Sequence, residues 1–218
     1  YGQINPQYYW LRRLHLFLQD FGSALAQMPA IIPTNHVSGA TDVHTLRWSV
    51  RSDGRSGYLF VNNYQRLQPM PAKTNVQFQL NLPDGKLVIP QLPVTIPADS
   101  FFCWPFNLNL AGAKLTYATA QLICRDGETF YFAKIPGLSA DFVFEVGTLA
   151  GNETTFRTVE TGRQPVLKLR TAAGKQLRIV LLDEADSLAI TKQNDGSISF
   201  DKPGKPVVQP VSAKLVRE

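Results

Sequence analysis

"TLRWSVRSDGRSGYLFVNNYQR", residues 45–66, is the stretch on which the fold turns. Leu46, Trp48 and Val50 alternate with Arg47, Ser49 and Arg51, the period-two pattern of a strand with one face buried. Asp53-Gly54 supplies turn chemistry, Gly57 follows, and "YLFVNNY" begins a second apolar run, so the segment reads as a β-hairpin. Four arginines, Arg47, Arg51, Arg55 and Arg66, lie in or beside it, and "GRSG", residues 54–57, could offer a nest of backbone amides to an anion. A phosphate loop, however, joins a strand to a helix, and here a second strand follows. The hairpin is the better reading, with Arg47 and Arg51 on its outward face.

The same signals recur downstream. "NVQFQLNL", "KLVIPQLPVTI", "SFFCWPFNL", "AKLTYATAQLIC", "ETFYFAKI" and "DFVFEV" follow at close spacing, punctuated by Pro83-Asp84-Gly85 and Asp126-Gly127. "LICRDGETFYF", residues 122–132, is a second clear hairpin. Prolines within residues 90–105 point to edge strands or interruptions, because proline cannot donate to a ladder. Many short strands with Gly and Pro turns predict a mainly β chain built as an antiparallel sandwich-like or barrel-like domain. "GTLAGNETT", residues 147–155, reads as a connection to a second strand set, "TFRTVE", "PVLKLR" and "QLRIVLL". "DEADSLAI", residues 183–190, predicts a short helix with acidic residues at its favourable end. From Gln193 the tail is polar and rich in Gly and Pro, and reads either as loosely ordered or as cut off before its partner strands.

Residues 5–28, "NPQYYWLRRLHLFLQDFGSALAQM", form the one long helical pattern. Asn5 suits an N-cap and Pro6 the first helical position. Leu11, Leu14, Leu18, Phe21, Leu25 and Met28 recur at three- and four-residue spacing, and Trp10, Phe17 and Ala24 widen that stripe. "PAIIP", residues 29–33, ends the helix. So broad an apolar face predicts a large packing partner beyond this chain.

At 218 residues, with 44% apolar and 18% charged residues, the chain is globular in composition. The formal net charge of +5 raises an anionic partner. Residues 1–74 carry +4, residues 75–156 carry −3 and residues 157–218 carry +4, with no basic run to track a duplex. Nucleic acid is therefore not expected as a partner. No apolar run reaches the eighteen or so residues of a membrane span, and the opening residues lack the pattern of a signal peptide. A chain that starts at Tyr1 without methionine reads as part of a longer protein. Cys103 and Cys124 each sit in an apolar strand-like run; they lack zinc-ligand spacing, and both a single bridge and two buried thiols stay open.

Candidate chemistry is sparse. No phosphate-loop, dinucleotide, zinc-protease or nucleophile-elbow motif is present. His15, His36 and His44 are scattered, without the cysteines or carboxylates that would complete a metal site or a triad. A glycosidase needs two carboxyl groups facing each other across a sugar. The candidates are Asp126, Glu128, Asp141 and Glu145; Asp126 is taken by a turn, Glu128 starts a strand, alternation with Phe142, Phe144 and Val146 turns Glu145 to solvent, and a solvated strand face is the reading for all four. Trp48, Tyr58, Tyr64, Trp104 and Tyr117 are possible sugar-stacking platforms, although aromatics within a sandwich usually belong to its core. Asn152-Glu153-Thr154 fits the N-glycosylation acceptor pattern.

Several stretches together resemble a known family. "YGQINPQYYWLRRLHLFLQDFG", residues 1–22, is similar to the closing segment and last helix of the catalytic barrel in glycoside hydrolase family 35 β-galactosidases. Residues 45–66 resemble the start of the β-rich domain that follows that barrel, and "KLVIPQLPVTIP" (86–97) and "LAGAKLTYATAQLI" (110–123) its continuation. "LRIVLLDEADSLAI", residues 177–190, resembles the strand-helix unit opening the next module. The resemblance implies a parent enzyme that is a retaining exo-β-galactosidase, using one glutamate as acid/base and another as nucleophile. Both would sit at barrel strand ends, upstream of Tyr1, so no catalytic, cofactor-binding or metal-binding residue and no cofactor is assigned here.

The resemblance divides the chain into residues 1–33 as the last helix of a truncated (β/α)8 barrel, 34–147 as an antiparallel β-rich accessory domain, and 148–218 as the start of a further, incomplete β module. The implied partners are a galactoside, reached through the absent barrel, and the barrel itself by intramolecular packing. Neither nucleic acid nor a membrane span is expected, and family members of this kind are often exported. The expected role is non-catalytic, with this chain inactive by itself. The alternative is a carbohydrate-binding module working through surface aromatics.

Overall fold

The computed structural model describes residues 5–201, and over them the chain is mainly β, as the strand and turn pattern predicts. It opens with helix α1 (Pro6–Gln27), followed by strands β1 (Ala30–Ile31), β2 (Arg47–Ser52) and β3 (Gly57–Asn63). A long ribbon comes next, β4 (Lys73–Leu82) and β5 (Gly85–Ile96), then β6 (Ser100–Leu110) and β7 (Ala113–Ala118). Strands β8 (Gln121–Asp126), β9 (Thr129–Ala133), β10 (Ala140–Phe144) and β11 (Thr155–Thr158) continue the chain. It closes with β12 (Leu167–Arg170), β13 (Gln176–Leu182), helix α2 (Glu184–Ala189), β14 (Ile190–Lys192) and β15 (Ile198–Phe200).

Seven strands make the central sheet in the order β1-β2-β3-β6-β7-β10-β11, and a second sheet runs β12-β13-β9-β8. Period two sends alternate side chains to opposite faces. On β6, Phe102, Trp104 and Phe106 face the β4–β5 ribbon and meet Phe78, Leu80, Ile89 and Ile96. On the other face Tyr58, Leu115, Phe142 and Phe144 meet Phe130, Phe132, Leu177, Ile179 and Leu181 of the second sheet. The far face of that sheet, Ile123, Cys124, Val180 and Leu182, is covered by Leu16 and Ile190. Pairing is antiparallel except between β13 and β9, which run parallel.

Residues 148–201 are woven into what precedes them. β11 pairs with β10, and β13 lies between β12 and β9, so hydrogen bonding crosses the junction read at residues 147 and 148. The prolines divide. Pro90 and Pro93 lie in the two-stranded ribbon, where edges are free, but Pro105 lies in central β6. The β6–β7 ladder begins only at Phe106, so at Pro105 β6 is paired on its β3 side alone. Locally it behaves as an edge, which tolerates a missing donor.

Helix α1 matches its expected span, with Pro6 in its first turn and Asn5 at the N-cap without a side-chain cap bond. Its apolar stripe splits. Leu25 and Met28 are buried and Phe21 partly so, whereas Leu11, Leu14 and Leu18 are 53%, 45% and 41% exposed. Phe17 of the widened stripe is buried as well, together with Leu16 and Arg13, which lie outside it. The helix lies along the edge strand β8, where Asp20 Oδ2 accepts the Arg125 amide at 2.8 Å and Asp20 Oδ1 pairs with Lys192 Nζ at 2.6 Å. An otherwise free sheet edge is thereby closed. Helix α2 follows expectation, with Asp183 accepting the Asp186 amide at 2.8 Å as its cap.

Candidate functional site

The hairpin of residues 47–63 forms as read, β2 and β3 pairing from Arg47↔Asn62 to Ser52↔Gly57. Its turn is held by Asp53, whose Oδ1 accepts the amides of Arg55 (2.9 Å) and Ser56 (2.7 Å) while Oδ2 accepts the Ser56 hydroxyl (2.9 Å). These bonds, the Ser56 amide foremost, hold the Asp53 carboxyl below the usual carboxylate range. The tip amides therefore serve a side chain of the chain itself. A Cβ at Gly57 would sit 2.1 Å from the Arg51 carbonyl oxygen, so close approach requires glycine there.

Nor do the arginines form a patch. Arg51 donates from Nε (3.0 Å) and Nη2 (2.8 Å) to the Met28 carbonyl, placing its charge at the C-terminal end of α1. Arg47 reaches the Gly39 carbonyl at 3.5 Å, and Arg55 and Arg66 are exposed. The outward face of the hairpin is thus partly an interface with α1.

The carboxylate candidates are dispersed to separate tasks. Asp126 is exposed in the β8–β9 turn, and Glu145 is exposed and paired with Lys114. Asp141 differs from the expectation of a solvated strand face. It is buried, and across the β10–β11 ladder Arg157 donates to it from Nε (2.6 Å) and Nη2 (2.8 Å). That pairing raises the affinity of Arg157 for its proton. His15, His36 and His44 are all exposed, and among the described residues no three His, Cys, Asp or Glu side chains converge as a metal site would require. Cys103 and Cys124 are free, buried thiols, and burial pushes Cys124 up to about 12.

Of the aromatic candidates, Tyr58, Trp104 and Tyr117 are core, and burial is the main cause raising the pKa of both tyrosines. Trp48 is half-buried with its ring 5.1 Å from that of Phe78. Tyr64 alone stays exposed, and the structure places it near two aromatics from distant segments, Trp10 of α1 and Phe101 of β6. The sequence pattern puts Trp10 in the helix and Phe101 in a strand, as found, without singling out either as a ligand contact. Alternation puts Phe101 on the face of β6 opposite Phe102, Trp104 and Phe106, but that face is also covered further along, at Cys103, so the exposure of Phe101 comes from its place at the strand's start and not from its period.

Trp10, Tyr64 and Phe101 border a cleft of about 540 Å³ between α1, the turn before β6 and the segment after β9. Asp99, Gln121 and Glu184 contribute polar groups to its lining. A second depression, about 410 Å³, lies between the hairpin tips and is lined by Arg55, Asp84, Lys86, Asn107 and Lys114. Two of its groups are already engaged, since Asn107 donates to the Arg55 carbonyl at 2.9 Å and Lys114 pairs with Glu145. No helix of the described residues is long and apolar enough to cross a membrane. Comparison with models of known protein families returns no match, and no curated protein matches the chain.

Proposed function

We propose that this chain is a non-catalytic, β-rich bracing region of a retaining β-galactosidase of the glycoside hydrolase family 35 type. The observation that carries the reading is the second apolar face of α1. Leu16 and Phe17 are consumed by the chain's own sheets, yet Leu11, Leu14 and Leu18 remain 53%, 45% and 41% exposed. Exposed leucines at helical spacing over two turns form a seam that a second body can bury. On this proposal the body is the catalytic barrel, of which α1 is the last helix. The dispersal of Asp126, Asp141 and Glu145 supports the non-catalytic part. Each is committed to a turn or an ion pair instead of facing a partner carboxylate across an open cleft.

Two measurements test it. The purified 218-residue chain should give no hydrolysis of a chromogenic β-galactoside above the buffer blank, and a clear enzyme-dependent rate would overturn the non-catalytic assignment. The coding sequence ahead of Tyr1 should specify about 250 residues of alternating β and α pattern with glutamates at strand ends. A different pattern there would overturn the family.

A further inference from the structure

The cleft beside α1 gathers three large aromatic side chains from three separate segments. Trp10, Tyr64 and Phe101 are 41%, 45% and 49% exposed, on a chain that fully buries Trp104, Tyr117 and Phe106. Phe101 touches both of the others edge-on, its ring centroid 6.1 Å from Trp10 and 6.2 Å from Tyr64, with interplanar angles of 80° and 65°. The rings therefore make angled walls instead of a flat patch. Single exposed aromatics are ordinary, but a contiguous group at the mouth of a cavity marks a binding surface. The volume of about 540 Å³ falls within the range of small-molecule sites, roughly 300–1,000 Å³.

The charges select the ligand. Arg13 and Lys134 balance Asp99 and Glu184 in the lining, so the formal charge is zero. Both cations are also engaged: Arg13 donates to Glu184 (3.0 Å) and Ser187 (2.7 Å), and Lys134 to the Val159 carbonyl (2.9 Å). An anionic ligand finds no free counter-charge here. Asp99 is fixed at φ 49°, with Oδ1 accepting the Met70 amide at 2.9 Å, and Gln121 brings a carboxamide from β8. The site offers aromatic faces for an apolar surface, together with a carboxylate and an amide for hydroxyl groups.

We propose that this cleft binds a neutral saccharide of one or two pyranose rings. The C–H face of a sugar ring lies against Trp10, while Phe101 and Tyr64 stand as angled side walls, and sugar hydroxyls bond to Asp99 and Gln121. The assignment concerns binding by this chain without hydrolysis; Trp10 lies one helical turn before Leu14, so a barrel seated on Leu11, Leu14 and Leu18 would border the same cleft.

The test is titration of the purified chain with galactose, lactose, galactobiose and cellobiose, followed by calorimetry and tryptophan fluorescence. Trp104 is fully buried and Trp48 is packed on Phe78, so a saturable fluorescence change reports Trp10. At least one sugar should bind saturably, and Trp10→Ala and Phe101→Ala should each weaken it about tenfold or more. Tyr64→Ala, at the third wall, should weaken it as well, while Leu18→Ala should leave it unchanged. Each variant's circular dichroism and melting temperature confirm that it folds. Absence of saturable binding to all four sugars would overturn the proposal, as would binding that survives Trp10→Ala and Phe101→Ala. Saturable binding of a proline-rich peptide in place of every sugar would overturn it too, and would assign the aromatic walls to peptide recognition.

Discussion

Asp53 shows how one side chain converts an ambiguous motif into a turn. Its carboxylate satisfies two amides and a hydroxyl at the tip of "RSDGRSG", and the Ser52 hydroxyl takes the Gly54 amide, so the amides of Gly54, Arg55 and Ser56 are engaged within the turn. The folded-state pKa is depressed below the unfolded value of about 3.9. Its contribution is therefore complete above that unfolded value and is lost as pH falls through the folded one. Asp53 is exposed, which holds the contribution at the low end for such bonds. Asp53→Ala should cost about 0.5–1 kcal/mol at pH 7, read as a lower urea midpoint. The difference from the parent chain should shrink at pH 3, and a difference that stays constant between the two pH values would refute the role given to the carboxylate.

At the scale of the element, α1 carries two apolar faces that differ in what they cost to lose. The inner face includes the Asp20–Lys192 pair, whose side chains are only 10% and 11% exposed, and Lys192 also donates to the Arg125 carbonyl at 2.9 Å. Removing one partner strands a buried charge, which costs about 3 kcal/mol or more. The outer leucines are already near half exposure. Asp20→Ala should therefore lower the melting temperature well below that of the parent, while Leu14→Ser and Leu18→Ser should each cost less than about 1 kcal/mol. Thermal unfolding of the three variants decides the matter. If the leucine variants prove the more damaging, the outer face is needed by this chain itself and the bracing proposal loses its support.

For the whole molecule, the decisive feature is the insertion of β13 beside β9 in parallel register, from Arg178↔Thr129 to Leu182↔Ala133. Leu177, Ile179 and Leu181 complete the core between the two sheets. A chain shortened to residues 1–147 loses this strand and leaves Phe130, Phe132 and Phe142 without their cover. It should show no cooperative melt and little near-ultraviolet circular dichroism. A sharp transition in that fragment would mean that residues 34–147 form a domain of their own.

Local chemistry was legible in the sequence. Period-two alternation, Asp-Gly turns, Pro6 and the acidic residues opening "DEADSLAI" specify the two hairpins, both helices and the mainly β class, because each depends on residues a few positions apart. Long-range choices were not legible. Periodicity reported that α1 is apolar but not which of its faces the sheets would take, since several arcs of the helix are equally hydrophobic. The parallel β13–β9 pair joins strands separated by an antiparallel excursion, and no local pattern encodes such a partner. The cleft is the extreme case. Trp10, Tyr64, Phe101, Gln121 and Glu184 come from five segments with no common motif, so only their packing into one body brings them together. By itself the sequence determined the strands, turns and helices, through local backbone preference and side-chain period; the tertiary structure decided which faces were buried and what stayed open to a ligand, because burial is settled by competition among all the surfaces at once.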